Sequence, residues 1–475
     1  MLRFLSQHGR SWSRREWLRL GGLGGATGLL GHLAGPRTAR GSGDEVLGFG
    51  RARSVIVVFA SGGQSQIDLW DPKPLAPAEI RGDFASIETA VPGVRFCEHV
   101  PRIAAVADRF TVLRSMSHED LDHGSAVHLA LTGRYHRQRT SNPPPSPEDP
   151  PCYSSVLKRV RPSREFLHTA IHLNGPNLVP STPAPGQFGG LLGKKYDAFT
   201  LGDVSAGEVV VPELDPLPEM PAVRLRSRET LLGALDRFER RAEQAGVLSD
   251  SSGLYDQAFR MLAEPRMRDA FQLSAEPESL RDRYGRNRSG QACLLARRLV
   301  EAGAPLVTVF WNHTNRGQDT AFDEIDEWGW DTHNDIFYGL RQQLLPRFDQ
   351  GFSALIEDLD ERGLLDETLV LCMGEFGRAP RVALEPRFAG ATPGRKHWSS
   401  VYSIAAAGAG VKRGGVVGAS DEQGAYPAGE RYAPWDVIAT IFSALGIDPH
   451  GKYFTPLGQE LHISDGRPIE PLYSA

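Results

Sequence analysis

Trp330-Asp331-Thr332-His333 sets a carboxylate and an imidazole two residues apart, and alternate residues of an extended segment point the same way. Such a pair suits zinc, manganese or iron, although an Asp-x-His triplet also serves as a hydrogen-bonded structural pair. In Gly374-Glu375-Phe376-Gly377-Arg378, the glutamate offers a metal ligand or a base and the arginine a fork of donors for an anionic oxygen. The two also suit a salt bridge to each other. Gly394-Arg395-Lys396-His397 adds an imidazole and two cations within four residues, a set for an anionic substrate or a metal. Upstream, His118, Glu119, Asp122, His123, Ser125 and His128 fall within eleven residues, with His128 expected to pack on a helix. Gly62-Gly63-Gln64-Ser65-Gln66-Ile67-Asp68 has the form of an anion-cradling turn, its glycines letting backbone N–H groups approach a substrate. Asp68 and Asp71 offer further ligands, or caps of a following helix or turn.

These residues need a scaffold that brings distant segments to one place. The run 54–60 is continuously apolar and β-branched, as in a central parallel strand covered on both faces. Runs 170–173, 305–310, 368–373 and 402–406 are of the same type, each separated from the next by room for a helix. Phe348, Phe352, Leu355, Ile356 and Leu359 form one apolar stripe at helical spacing, closed by Gly363 before the strand at 368. This order predicts an α/β fold, a mostly parallel central sheet with helices on both faces, and ligands bound beyond the carboxyl ends of the strands. Residues 141–151 read as a Pro-rich loop, 222–246 as an amphipathic surface helix, and about 180–285 as an insertion beside the core.

The bulk composition leaves room for one large domain with insertions, or for two: 475 residues, 40% hydrophobic and 23% charged. A net charge of −5 without long Lys/Arg runs gives no footprint for nucleic acid, so a small-molecule or polysaccharide partner is expected. No nucleotide cofactor is expected either. Cys97, Cys152, Cys293 and Cys372 are far apart and form no Cys-x-x-Cys pair, which signals neither a zinc knuckle nor a redox dithiol.

Ser13-Arg14-Arg15-Glu16-Trp17-Leu18, followed by a weakly apolar stretch, has the pattern of a bacterial Tat export signal. Residues 1–40 are therefore read as signal and linker and 50–475 as the α/β domain, in a protein exported by the Tat machinery to the periplasm or beyond. An uncleaved signal would serve as a membrane anchor.

Taken in order, the motifs resemble the sulfatase branch of the alkaline phosphatase superfamily. His123-Gly124-Ser125 through Leu131-Thr132-Gly133-Arg134 is similar to the sulfatase signature that begins at the nucleophile, and Trp435-Asp436-Val437-Ile438-Ala439-Thr440 to that group's late helix. A closer resemblance, from about Arg53 onward, is to domain-of-unknown-function family 1501. Its hallmarks are Gly62-Gly63-x-Ser65-x-x-Asp68, Trp330-Asp331-Thr332-His333, Gly374-Glu375-Phe376-Gly377-Arg378 and Ala407-Gly408-Ala409-Gly410.

Against the sulfatase pattern, His123 stands at the nucleophile position with Ser125 two residues later, Ser61-Gly62 replaces the expected aspartates, and Glu375-Phe376 replaces an Asp-His pair. The resemblance thus implies a remodelled site. Asp331, His333 and His397 would hold one zinc, manganese, iron or calcium ion, with Asp68 as a further ligand. His123, Ser125, Glu375, Arg378 and Lys396 are the candidate catalytic residues, and Gly62, Gly63, Ser65 and His118 would contact substrate. The expected activity is metal-dependent hydrolysis of sulfate or phosphate esters. The alternative is a non-catalytic binding protein that retains the fold.

Overall fold

The computed structural model describes residues 46–205 and 269–473 apart from 322. Its centre is an eight-stranded sheet built from β1 (Ser54–Phe59), β2 (Phe110–Met116), β3 (Ala170–Leu173), β4 (Phe199–Leu201), β5 (Leu306–Phe310), β6 (Thr368–Met373), β7 (Tyr402–Ala407) and β8 (Gly415–Val417). Their order across the sheet is β8-β2-β7-β6-β1-β5-β3-β4. β1 lies between β5 and β6, parallel to both, with Val57 in register with Thr308 and Leu371. All six of its residues are buried, the reason this run carries no polar alternation.

The pleat of β1 separates two cores. Val55, Val57 and Phe59 face one, with α1 (His123–Thr132), α2 (Tyr153–Val160) and α6 (Pro434–Ala444); Ile56 and Val58 face the other, with α4 (Arg288–Glu301) and α5 (Leu345–Glu361). Helices therefore cover both faces, and the expected stripe of α5 is buried from Phe348 to Leu359. Gly363, at φ +69°, ends the segment after α5, where the Leu364 amide turns back to the Leu359 carbonyl at 2.9 Å.

Two expectations need correction. The strand at 402–406 is not one of the parallel set: β7 runs antiparallel to both β2 and β6. The described ends of the 180–285 stretch belong to the main layers. β4 pairs with β3 in the sheet, and α3 (Glu278–Tyr284) buries Tyr284, whose hydroxyl reaches Asp358 of α5 at 3.0 Å. The expected helix at 222–246 and the twin-arginine segment lie outside the described residues. Among the described residues no helix is long and apolar enough to cross a membrane.

Candidate metal centre

One edge of the sheet collects the chemistry. The chain leaves β2 into the segment before α1, whose first residue is His123; the loop after β5 carries Asp331 and His333; Glu375 lies just beyond β6. His397 precedes β7, and because β7 runs opposite to its neighbours, its start lies at the same edge as their ends. A two-residue ladder then sets Gly377–Arg378 antiparallel to His397–Trp398, with His397 directly across from Arg378.

Asp331 is the hub. Its Oδ1 lies 3.1 Å from His333 Nε2, 3.2 Å from His397 Nε2 and 2.8 Å from Arg378 Nη2, while Oδ2 lies 3.1 Å from His123 Nε2. His123 Nδ1 is 2.6 Å from Glu375 Oε1, which also accepts the Gly62 amide at 2.7 Å. His118 Nε2 donates to the main-chain oxygen of Glu375 at 2.6 Å. Gly62 has φ +112°, and a Cβ there would collide with the backbone of Trp330 and Asp331, so the closeness of these two loops depends on a glycine.

Burial opposes charge on His123, but the Asp331 and Glu375 carboxylates outweigh it and push the imidazole up to about 9. Burial would likewise raise Asp331, yet the His123 and Arg378 charges hold it well below the usual carboxylate range. Burial, then the His123 charge, brings His397 down to about 3, and burial also lowers His333. One charged and two neutral imidazoles therefore surround one carboxylate, and an ion held at His123 Nε2 would displace the proton there.

Whether a metal fits can be judged from the tautomers. His397 Nδ1 lies 2.6 Å from the Leu121 carbonyl, which only accepts, so Nδ1 carries the ring proton and Nε2 presents a lone pair. That lone pair faces Asp331 Oδ1, a second acceptor. His123 is oriented in the same way through Nδ1 by Glu375, and its Nε2, although close to Asp331, is too poorly aligned for a hydrogen bond. Imidazoles held through their outer nitrogen by a carbonyl or carboxylate are the arrangement of metal-bound histidines. His333 Nε2, His397 Nε2 and Asp331 Oδ1 form a triangle with sides of 2.9, 3.1 and 3.2 Å. Ligands of a tetrahedral ion with bonds of ~2.0 Å stand about 3.3 Å apart. His123, Asp331 and His397 each offer a ligand atom within 4.8 Å of the others, a set that could hold a metal ion, and His333 Nε2 adjoins it. Imidazole donors in general suit zinc and iron, whereas calcium takes oxygen ligands almost throughout.

The other candidates are placed elsewhere. Asp68 does not join this set: Arg395 Nε and Nη2 take its two oxygens at 2.7 and 3.0 Å, and Ser65 Oγ donates to it at 2.5 Å. Ser65 is thereby a structural partner rather than a substrate contact. Ser125 is fully buried and donates to Asp120 at 2.6 Å, so it is no accessible nucleophile. Lys396 points away to Glu385 at 2.9 Å. Arg378 is fully buried, and besides Asp331 it holds the carbonyls of Gly62 and Gly63, which leaves it unable to meet a substrate oxyanion directly. Gly62 and Gly63 accordingly anchor Glu375 and Arg378 instead of cradling an anion, and His118 positions Glu375. His128 packs in α1, its Nδ1 3.0 Å from the Arg134 carbonyl. Neither the Leu121 carbonyl nor Asn315, whose amide reaches Asp331 Oδ2 at 3.4 Å, stands in a motif that marks it beforehand.

A family model described as "Protein of unknown function (DUF1501)" matches residues 52–473. The chain belongs to this family. No curated protein matches this DUF1501 chain by sequence. Solved structures similar to it include the PsFucS1 sulfatase from Pseudoalteromonas sp., at 13% identity and TM-score 0.34, covering 83% of this chain and 68% of that one. The phosphonate monoester hydrolase SpPMH from Silicibacter pomeroyi gives 12% and 0.38, over 89% and 77%. A protein in the alkaline phosphatase superfamily from Vibrio parahaemolyticus gives 10% and 0.37, over 86% and 72%. Likeness at this level decides nothing about the chemistry of the DUF1501 site.

Proposed function

We propose that the chain is a metal-dependent hydrolase of sulfate or phosphate esters, with the ion held by His123, Asp331, His333 and His397. One observation carries this reading: three imidazole Nε2 atoms turn toward a single carboxylate, two of them fixed from behind by Glu375 and the Leu121 carbonyl. A bound divalent ion supplies charge for a sulfuryl or phosphoryl oxygen and lowers the pKa of water to ~7. Glu375 keeps His123 in the tautomer that offers Nε2, and Arg378 keeps the Asp331 carboxylate ionised. Asp331 and His397 retain 17% and 15% side-chain exposure, the opening through which an ester reaches the centre. With Ser125 buried, water rather than a serine hydroxyl attacks, the ester bond to sulfur or phosphorus breaks, and the alcohol leaves in one displacement.

Elemental analysis of the purified protein tests this reading. About one tightly held zinc, manganese or iron ion per chain, lost in His333→Ala together with turnover of aryl sulfate or aryl phosphate, is the expected outcome. A metal-free, stably folded protein would instead favour the binding-protein reading. The Ser13-Arg14-Arg15 pattern supports Tat export to the periplasm or beyond. A tagged chain carrying Arg14→Lys and Arg15→Lys should then stay in the cytoplasmic fraction.

A further inference from the structure

A cleft of about 530 Å³ opens beside the segment that leads from β2 to the metal centre. Its wall carries Tyr135, Tyr426 and Trp435, with His118, Glu119 and Arg431 among them. The rings are not core residues: Tyr426 is 56% exposed, and Tyr135 and Trp435 are half-buried with centroids 5.8 Å apart. Arg139 lies over Tyr135 at 3.6 Å from the ring centre and steadies it. Aromatic surface clustered in an open cleft, with polar groups between the rings, marks a ligand site rather than a packing defect.

We infer that this cleft binds a sugar ring of a glycan chain. A pyranose has an apolar C–H face that matches an aromatic ring and a rim of hydroxyls that both donate and accept. Glu119 supplies the acceptor and Arg431 the donor for such a rim. A purely anionic ligand would meet the Glu119 carboxylate, and a purely apolar one would strip water from both charges. The cleft is tied to the metal centre at two points. His118 lines it and also donates to the Glu375 main chain, and Tyr426 leans on Trp398, its ring centre 5.8 Å away, next in sequence to His397. A saccharide seated here lies against residues 117–119, whose continuation carries Leu121 and His123. The inference rests on the hydrolase reading for what happens to the sugar, an ester on it being the bond cleaved, but sugar binding itself does not require the metal.

The test is calorimetric and fluorescence titration of the full chain with cellohexaose, mannohexaose, xylohexaose and laminarihexaose, in metal-loaded and chelator-treated protein. At least one hexaose should bind and shift tryptophan emission. Tyr426→Ala and Arg431→Met should each weaken that binding about tenfold, roughly the 1.4 kcal/mol of one aromatic or charged contact. Tyr426→Trp should restore it, and none of the three should change metal content. Tyr426 and Arg431 are exposed, so loss of fold is not the expected cause of lost binding. Sugar binding by metal-loaded protein that leaves sulfate and phosphate esters uncleaved would sink the hydrolase reading and leave the sugar site standing. No binding of any hexaose, or binding indifferent to Tyr426→Ala and Arg431→Met, overturns the inference.

Discussion

Two buried carboxylate–arginine pairs stand at the same edge of the sheet and are built differently. Asp68 is 2% exposed and meets Arg395 through both oxygens, while the rest of that guanidinium is taken by the carbonyls of Ala379, Pro380 and Ile80. Asp331 meets Arg378 through one oxygen, remains partly open, and has three imidazoles aimed at it, two of them held through their outer nitrogens by Glu375 and the Leu121 carbonyl. In the first pair every donor has an acceptor, and the product is a clip between loops. In the second, the His397 lone pair faces a carboxylate oxygen, acceptor against acceptor, a contact that a cation between them would relieve. Saturation, rather than residue type or burial, separates the structural aspartate from the functional one.

Asp68→Asn against Asp331→Asn tests that contrast most severely. The first leaves Arg395 buried without a counter-charge and should cost about 3–5 kcal/mol, read as a lowered urea midpoint. Protein that still folds should keep its metal. Asp331→Asn should do the reverse, emptying the metal site in elemental analysis with a smaller change in midpoint. Equal metal loss in the two variants would erase the distinction.

Acid sets a second contrast, between these paired charges and histidines buried with none. Burial lowers His172, on β3, to about 4, and His128 to about 3, whereas Asp331 stays ionised to well below the usual range. Above pH ~6.5 His172 is neutral whether the chain is folded or not and has no effect. As pH falls from there to about 4, the unfolded chain takes up a proton that the folded one refuses. Stability therefore drops by about 1.4 kcal/mol per pH unit, at most ~3 kcal/mol. His172→Gln should flatten the urea midpoint between pH 6.5 and 4.5; an unchanged slope would place the acid sensitivity in the charged cluster instead.

How much of this was legible in the sequence depended on what each residue answers to. β1 and β6 were readable because burial on both faces demands an unbroken apolar run. β2 was not, because Thr111, Arg114 and Ser115 interrupt it, and Arg114 is held by Asp71 at 3.1 Å and the Trp70 carbonyl at 2.6 Å. Asp331, His333 and His397 announced themselves by type and spacing. The exchange between His123 and Asp68 did not, since Asp68 is claimed by Arg395, 327 positions away, and His123 is freed for the centre by Glu375, 252 away. Leu121 contributes a main-chain carbonyl, which no residue type reveals.

Glu375 refines the comparison within the metal site itself. It touches His123 without being one of the four proposed ligands, so Glu375→Gln should weaken metal binding by about 10–100-fold while leaving the stoichiometry at saturating metal intact. Competition with a chelator of known affinity measures the difference. A complete loss at saturation would make Glu375 a ligand; no change would mean that His123 is positioned by its backbone alone.

Ser125 carries the smallest effect and the sharpest mechanistic consequence. Its hydroxyl donates to Asp120 and accepts the Ser141 amide at 3.3 Å, a bracket between the start of α1 and the loop that follows it. Ser125→Ala should therefore cost about 1–2 kcal/mol, the value of a buried hydrogen bond whose partner is left behind. Metal content and ester turnover per folded molecule should not change. Were this serine the nucleophile, turnover per folded molecule would collapse as well, and a covalent adduct on the wild-type chain would appear by mass spectrometry during reaction. The buried, doubly bonded hydroxyl argues for the first outcome, because attacking an ester would require it to abandon both Asp120 and the Ser141 amide and to leave the interior.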